Sequence, residues 1–195
     1  KTAESFYVNL GDEIDANAIV KKVGLPCFVK ANKAGSSFGI TKVYKLEDMH
    51  QAIDVAFKED DEIIIESFLD GTEVSVGVIK YKGETTVLPI TEIVSDNDFF
   101  DYKAKYLGES QEITPARISD DMAEKVSKTA KQVYDILKMT GFSRSEYIFK
   151  DGEPHLLEVN TVPGLTKASI LPQQAAAAGI SLTDLFENAI EEALK

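Results

Sequence analysis

The sequence predicts an α+β fold built on antiparallel sheets. Helical and strand patterns alternate along all 195 residues. Strands come in runs joined by short turns, with helices laid beside them. Strict strand–helix–strand units, the mark of a doubly wound parallel sheet, are few. No glycine fingerprint for a dinucleotide follows a strand, and no GxxxxGK(S/T) stretch occurs.

Each element has its own signal. Residues 13–23 read as a helix, with Ile14, Ala18 and Ile19 on one side and Gly24 as a stop. Residues 26–31 are a short buried strand, followed by a loop of small residues that includes Gly35, Ser36, Ser37, Phe38 and Gly39. Residues 40–45 form a strand, and 46–58 a helix with Met49, Ile53, Ala56 and Phe57 at helical spacing. Residues 63–69 are a further strand. In 73–81 the residues Val74, Val76 and Val78 share a face, and a turn at Lys82-Gly83 returns the chain along 85–94 as a hairpin. Residues 95–117 lack periodicity and read as a long loop, of a size that is usually functional or disordered. Ser119 caps a helix with the stripe Met122, Val126, Ala130, Val133 and Leu137, ended by Gly141. A strand–turn–strand follows, at 145–150 and 155–160. Pro172 opens a short helix that Gly179 closes, and Ser181 caps the last one with Asp184 three residues on.

Composition narrows the function. With 21 basic and 33 acidic side chains the formal net charge is −12. That balance disfavours gripping a nucleic-acid backbone, which takes clustered Lys and Arg. No apolar run approaches the roughly 18 residues of a membrane span. The single cysteine, Cys27, cannot form an internal disulfide. Lys1 is not followed by a basic and then apolar leader, so the expectation is a cytoplasmic protein or a piece of one.

Five segments could carry chemistry. Glu158 and Asn160 are two apart on a strand and so share a face, with Leu157 and Val159 expected to point into a core. Arg144 and Glu146 share a face of the preceding strand. A three-residue turn at 151–153 would set Glu146 opposite Glu158, and two carboxylates that close are costly without a cation between them. Carboxylate and amide oxygens suit Mg²⁺. The plain alternative is ordinary surface charge on two exposed strands. Lys30 ends an apolar strand before the Gly/Ser loop, a pattern that can hold phosphate. Lys103, Lys105, Tyr102 and Tyr106 could close over an anion. Residues 66–69 with Glu73 could frame a base and take its ribose. The turn 160–169 can present the Gly164 N–H to an oxyanion. Taken singly, each of these also reads as ordinary loop or connector. Cys27 reads as core packing, and His50 and His155 lack metal spacing.

Together and in order, these stretches resemble the D-alanine–D-alanine ligases of the ATP-grasp superfamily. The likeness is carried by Phe28-Val29-Lys30-Ala31-Asn32, Gly35-Ser36-Ser37-Phe38-Gly39-Ile40, Ile65-Glu66, Gly71-Thr72-Glu73 and Tyr102-Lys103-Ala104-Lys105-Tyr106. It is completed by residues 156–166, Leu-Leu-Glu-Val-Asn-Thr-Val-Pro-Gly-Leu-Thr, and Ser169. It runs from about residue 26 to the end of the chain.

The resemblance implies an ATP-grasp fold in which two antiparallel sheets with flanking helices enclose the nucleotide. Residues 1–69 would be part of the central subdomain and 70–195 the C-terminal subdomain, with the family's N-terminal domain absent. Lys30, Ser37, Glu66, Ser67, Phe68, Leu69, Glu73 and Lys105 would bind ATP. Glu146, Glu158 and Asn160 would hold two Mg²⁺ or Mn²⁺ ions. Arg144, Gly164, Ser36 and Tyr106 would be catalytic, and Ser169, Lys105 and Tyr106 would meet the second of two D-alanine molecules. The implied reaction is peptidoglycan precursor synthesis through an acyl phosphate, by a full-length homodimer without nucleic-acid or membrane partners. Two positions depart from the family. Glu146 stands where Asp is usual, and Ser67 where a longer side chain is common. The alternatives are another ATP-grasp carboxylate–amine ligase and a non-catalytic nucleotide-binding domain. Without the N-terminal half-site, the expectation is a chain that folds but turns over poorly by itself.

Overall fold

The computed structural model describes residues 1–35, 37–95 and 110–195. Its contacts divide the chain into two compact units. Among the described residues one is built on Thr2–Leu69, the other on Asp70–Val94 and Gln111–Lys195 with Lys1. Each is built on an antiparallel sheet with flanking helices, the predicted class.

The first unit contains β1 (Ser5–Asn9), α1 (Ala16–Val23), β2 (Cys27–Ala31), β3 (Thr41–Val43), α2 (Met49–Ala56) and β4 (Glu62–Ser67). Its strands form a four-stranded sheet in the order β1-β4-β2-β3. Along β2 the residues alternate. Cys27 and Val29 join Ile63 and Ile65 of β4 beneath Ile19, Val23, Met49 and Ile53 of the helices. Phe28 and Lys30 therefore face the other way, as the period of two requires. The first helix starts later than predicted because Asp15 caps it, its carboxylate accepting from the N–H groups of Asn17 and Ala18. The expected helix 46–58 opens with a 3-10 turn, Leu46–Asp48, and is α-helical only over Met49–Ala56. The sequence reading assigns no strand to β1, which the structure pairs with β4, Phe6 opposite Ile65. It is an edge strand with Val8 buried and Tyr7 exposed, too short to announce itself.

The second unit contains β5 (Thr72–Tyr81), β6 (Glu84–Val87), β7 (Thr91–Ser95), β8 (Ser110–Ile113), α3 (Asp120–Ile136), β9 (Phe142–Lys150), β10 (Glu153–Asn160), α4 (Ile170–Ala177) and α5 (Leu182–Ala193). Its six-stranded sheet runs β10-β9-β5-β7-β8, with β6 also on β5. The predicted hairpin after β5 forms, but its return arm is two strands. β6 pairs with the end of β5 and β7 with its beginning, divided near Pro89, which has no N–H to give a ladder. Strand β8 lies in the stretch read as loop.

Helix α3 lays Val126, Ala130 and Tyr134 on Val74, Val76, Val78, Tyr147 and Phe149. The expected stripe fails at its end, where Leu137 is exposed and Tyr134 is buried instead, its hydroxyl donating to the Gly141 carbonyl at 3.0 Å. Helices α4 and α5 cover part of the opposite face, with Leu171, Ala175 and Leu185 on Ile79 and Leu88. The capping box at Ser181 and Asp184 forms as predicted. Among the described residues no helix is long and apolar enough to cross a membrane.

Candidate active site

The hairpin β9–β10 organises the charged residues of the second unit. Its turn is shorter than expected. Lys150 pairs with Glu153 across the two residues Asp151 and Gly152, with φ of 53° and 73°. A two-residue turn with both φ positive matches the twist of the strands it joins. On that register alone Glu158 would not face Glu146. A β-bulge between Leu156 and Glu158 corrects it. Leu156 lies opposite Tyr147, while Glu158 lies opposite Glu146 and Asn160 opposite Arg144. The extra residue, Leu157, moves every later side chain to the other face. The predicted juxtaposition is therefore present, but by a different route. Of the expected inward pair, Val159 lies opposite Ser145 on the face of Tyr147, whereas Leu157 is the bulged residue and Leu156 packs into the α3 core instead.

Arg144 and Glu146 form an ion pair, Nη2 to Oε1, at 2.7 Å, with their side chains only 14% and 5% exposed. Asn160 turns its Oδ1 back to accept from the Val162 N–H at 3.0 Å, which starts the connection into α4. That connection closes on Ser169. Its Oγ accepts from the Thr166 N–H at 3.2 Å and lies 2.9 Å from the Thr166 hydroxyl. A Cβ on Gly164 would sit 2.8 Å from the same oxygen, so only glycine allows this approach. Glu73 shares the face of Ser75 and Gly77 on β5, and Ser75 lies opposite Glu146 and Gly77 opposite Arg144. A side chain at Gly77 would meet Gln174 Oε1 at 2.5 Å and Leu171 Cδ1 at 2.7 Å, which lets α4 lie close on the sheet. Gln174, fully buried, donates to the Ser75 carbonyl at 2.9 Å and to Thr91 Oγ1 at 3.0 Å.

Two residues of this face escape sequence reasoning. Glu112 of β8 accepts from Gln173 Nε2 at 3.4 Å, and the same amide donates to the Ala168 carbonyl at 2.8 Å. Burial pushes the Glu112 carboxyl above the usual carboxylate range, against the opposing pull of the Arg144 charge and the Gln173 hydrogen bond. The clue was slight: a lone acid between Gln111 and Ile113 in a stretch without periodicity.

In the first unit the outward face of the sheet carries the other predicted residues. Lys30 Nζ and Glu66 Oε2 are 2.5 Å apart, with side chains 21% and 11% exposed. They sit on neighbouring strands, Phe28 being the direct partner of Glu66. Phe28 and Phe68 lie with ring centroids 6.2 Å apart. Above them Lys42 Nζ is 4.1 Å from the Phe68 ring, 5.7 Å from Phe28 and 5.3 Å from Tyr44. Lys42 and Tyr44, which sequence reasoning did not single out, extend the aromatic and cationic surface. Leu69 is buried, and Ser67 is half-buried with its N–H donated to the Glu4 carbonyl at 2.9 Å. Ser37 adopts φ 58° in the turn beside Gly39. Ser36, Tyr102, Lys103, Lys105 and Tyr106 lie outside the described residues.

A protein-family profile described as "D-ala D-ala ligase C-terminus" matches residues 7–191. The chain belongs to this family. Among curated ligase relatives, the D-alanine--D-alanine ligase of Flavobacterium johnsoniae is 72% identical over 100% of this chain and 60% of its own length. That of Christiangramia forsetii is 62% identical, again over 100% of this chain and 60% of its own length. The chain thus spans 60% of the length of these ligases. Among solved ligase structures, D-alanine--D-alanine ligase from Bacillus anthracis complexed with ATP superposes with a TM-score of 0.83 at 29% identity, covering 99% of this chain and 60% of that one. The VanG D-Ala:D-Ser ligase of Enterococcus faecalis gives 0.81 at 32% identity, covering 97% and 56%. The fold is the ATP-grasp fold that the resemblance implies.

Proposed function

We propose that the complete protein carrying this chain joins two D-alanine molecules at the expense of ATP, to give D-alanyl-D-alanine for peptidoglycan. The observation that carries this reading is the bulged hairpin, which aligns Arg144, Glu146, Glu158 and Asn160 on one face in a chain of the ligase family. Residues 1–69 are read as part of the central ATP-grasp subdomain and 70–195 as the C-terminal subdomain. The remainder of the ligase length is taken to supply part of the first D-alanine site.

The donor set fits a hard divalent cation. Among the described residues no three His, Cys, Asp or Glu side chains are grouped to hold a metal. The set here is two carboxylates and an amide. Glu146 and Glu158 are direct cross-strand partners, so two carboxylates share one place on the face with the amide of Asn160 beside them. Glu146, Glu158 and Asn160 would hold Mg²⁺ or Mn²⁺, which supplies neutralisation of phosphate charge during transfer.

The chain's own residues do the rest. Lys30 binds phosphate from the end of β2, and residues 66–69 frame the adenine. Glu73 takes the ribose. An oxygen of the first D-alanine carboxylate attacks the γ-phosphorus, forming an acyl phosphate as ADP leaves. The amine nitrogen of the second D-alanine attacks that carbonyl carbon, and inorganic phosphate departs. Arg144 and the Gly164 N–H donate to the oxygen on which charge develops, and Ser169 orients the acceptor's carboxylate. Catalysis is thus positioning and charge stabilisation by groups held before the substrates arrive.

A second reading, a ligase with another acceptor, is favoured by the likeness to a D-Ala:D-Ser enzyme. Phosphate release from ATP, measured on the complete protein with D-alanine, D-serine and D-lactate in turn, tests both. D-alanine is expected to be the best acceptor. Faster release with D-serine transfers the assignment to the second reading, and no release with any acceptor removes both.

A further inference from the structure

We propose that Glu112 and Gln173 are a positioning pair that holds the 164–169 turn in register with Arg144. The inference rests on the ligase reading and extends it to two residues outside the metal and nucleotide sets.

Gln173 sits in the first turn of α4, and its side-chain amide serves two acceptors. One is the Ala168 carbonyl at 2.8 Å, inside the turn that carries Gly164 and Ser169. The other is the Glu112 carboxylate at 3.4 Å, on β8, 61 residues away in sequence. The amide is therefore a cross-brace between the turn and the sheet. Ser169 spends its own hydroxyl on Thr166 within the same turn.

Glu112 connects this brace to Arg144. Strands β5 and β7 lie between β9 and β8. On the face that Arg144 occupies, Gly77, Ser75 and Thr91 of these strands carry Leu171 and Gln174 of α4, the helix that also holds Gln173. The guanidinium charge is felt at Glu112, and the carboxylate is half-buried, where such fields are weakly screened. Arg144 already gives one nitrogen to Glu146, and its Nε is buried without a hydrogen-bond partner among the described residues. Glu112 adds to Glu146 a second acidic charge that the guanidinium feels. Arg144 and the Gly164 N–H must both reach one oxyanion, so a common anchor for the two has a direct catalytic consequence.

The test uses the complete protein and the variants Gln173→Met and Glu112→Gln, singly and together. Met keeps the length of Gln without its donor, and Gln keeps the shape of Glu without its charge. Each single variant is expected to lower kcat/KM for the acceptor D-alanine about tenfold, the scale of one hydrogen bond to a charged group. The KM for ATP should stay within roughly twofold, because the nucleotide residues are not braced by this pair. The double variant should lose no more than the worse single one, because both act through one link. Unchanged acceptor kinetics, equal losses for ATP and acceptor, or additive losses would each overturn the proposal. A wild-type protein without D-alanine-dependent phosphate release would instead overturn the ligase reading beneath it.

Discussion

The two sheets carry comparable ion pairs but reach them along different backbones. In the four-stranded sheet Lys30 and Glu66 come from neighbouring strands that alternate without interruption. Cys27, Val29, Ile63 and Ile65 go under the helices, and Lys30 and Glu66 go to the other face with Phe28 and Ile64. In the six-stranded sheet Arg144 and Glu146 are two apart on one strand, and the oxygens opposite them are set by a bulge in β10 that takes up Leu157. Regular alternation tolerates substitution so long as the pattern survives. A bulge makes the aim of two functional side chains depend on one residue count.

The largest effect is expected from that count. Deleting Val159 leaves Glu158 opposite Glu146 but sets Asn160 opposite Ser145, on the face of Tyr147 and the α3 core. D-alanine-dependent phosphate release by the complete protein should fall below detection. Retained turnover would show that the residue count along β10 does not aim the site.

Arg144→Met comes next. The ligase reading assigns it a donor role at the oxyanion, where removing one donor costs about 10²–10³ in kcat. Steady-state kinetics should show that loss, with nucleotide binding by calorimetry little changed. Loss of ATP affinity in place of kcat would move Arg144 from the acyl step to the nucleotide.

In the other sheet, Lys30→Met leaves Glu66 charged and largely buried without its cation. Breaking a fully buried pair costs roughly 3–5 kcal/mol, so for this partly exposed one we expect about 2 kcal/mol of unfolding free energy. Denaturant unfolding measures it. Adding Glu66→Leu should recover most of the stability but not the affinity for ATP, which separates the structural part of Lys30 from the part that binds phosphate.

The smallest expected effect concerns the helix-covered face of the same sheet. Burial pushes the Cys27 thiol from 9.0 up to about 11. A raised folded value means the neutral thiol is favoured in the native state. Its contribution is complete below the ordinary value and is lost as pH climbs toward 11. Alkylation at pH 8 should therefore proceed only on unfolding. Rapid labelling of the native protein would mean that the core of this sheet opens far more readily than its packing suggests.

What could be read from residues alone follows from local periodicity. The stripe Val126, Ala130 identified α3, the capping box at Ser181 identified α5, and the alternation of Val74, Val76 and Val78 identified β5. The pairing of Arg144 with Glu146, and of Glu158 with Asn160, also follows from a period of two. Motif order carried the resemblance to the ligases, because acid-x-Asn-x-x-Pro-Gly after a hairpin joins charge to a tight turn in few other ways.

Other features depend on contacts that no local pattern records. The doublet Leu156-Leu157 breaks alternation, but which leucine packs inward is decided by Tyr147 on the partner strand. Tyr134 displaces Leu137 from the core because its hydroxyl finds a carbonyl at Gly141. β1 exists only where β4 offers an edge. Glu112 is one acid among 33 Asp and Glu in the sequence, and becomes distinctive only when α4 brings Gln173 beside it. Residue order determines which side chains share a strand face or helix stripe, since those repeats are set by the backbone itself. Partners across strands and helices are chosen by burial and hydrogen-bond satisfaction among segments distant in sequence, and only the folded chain holds that information.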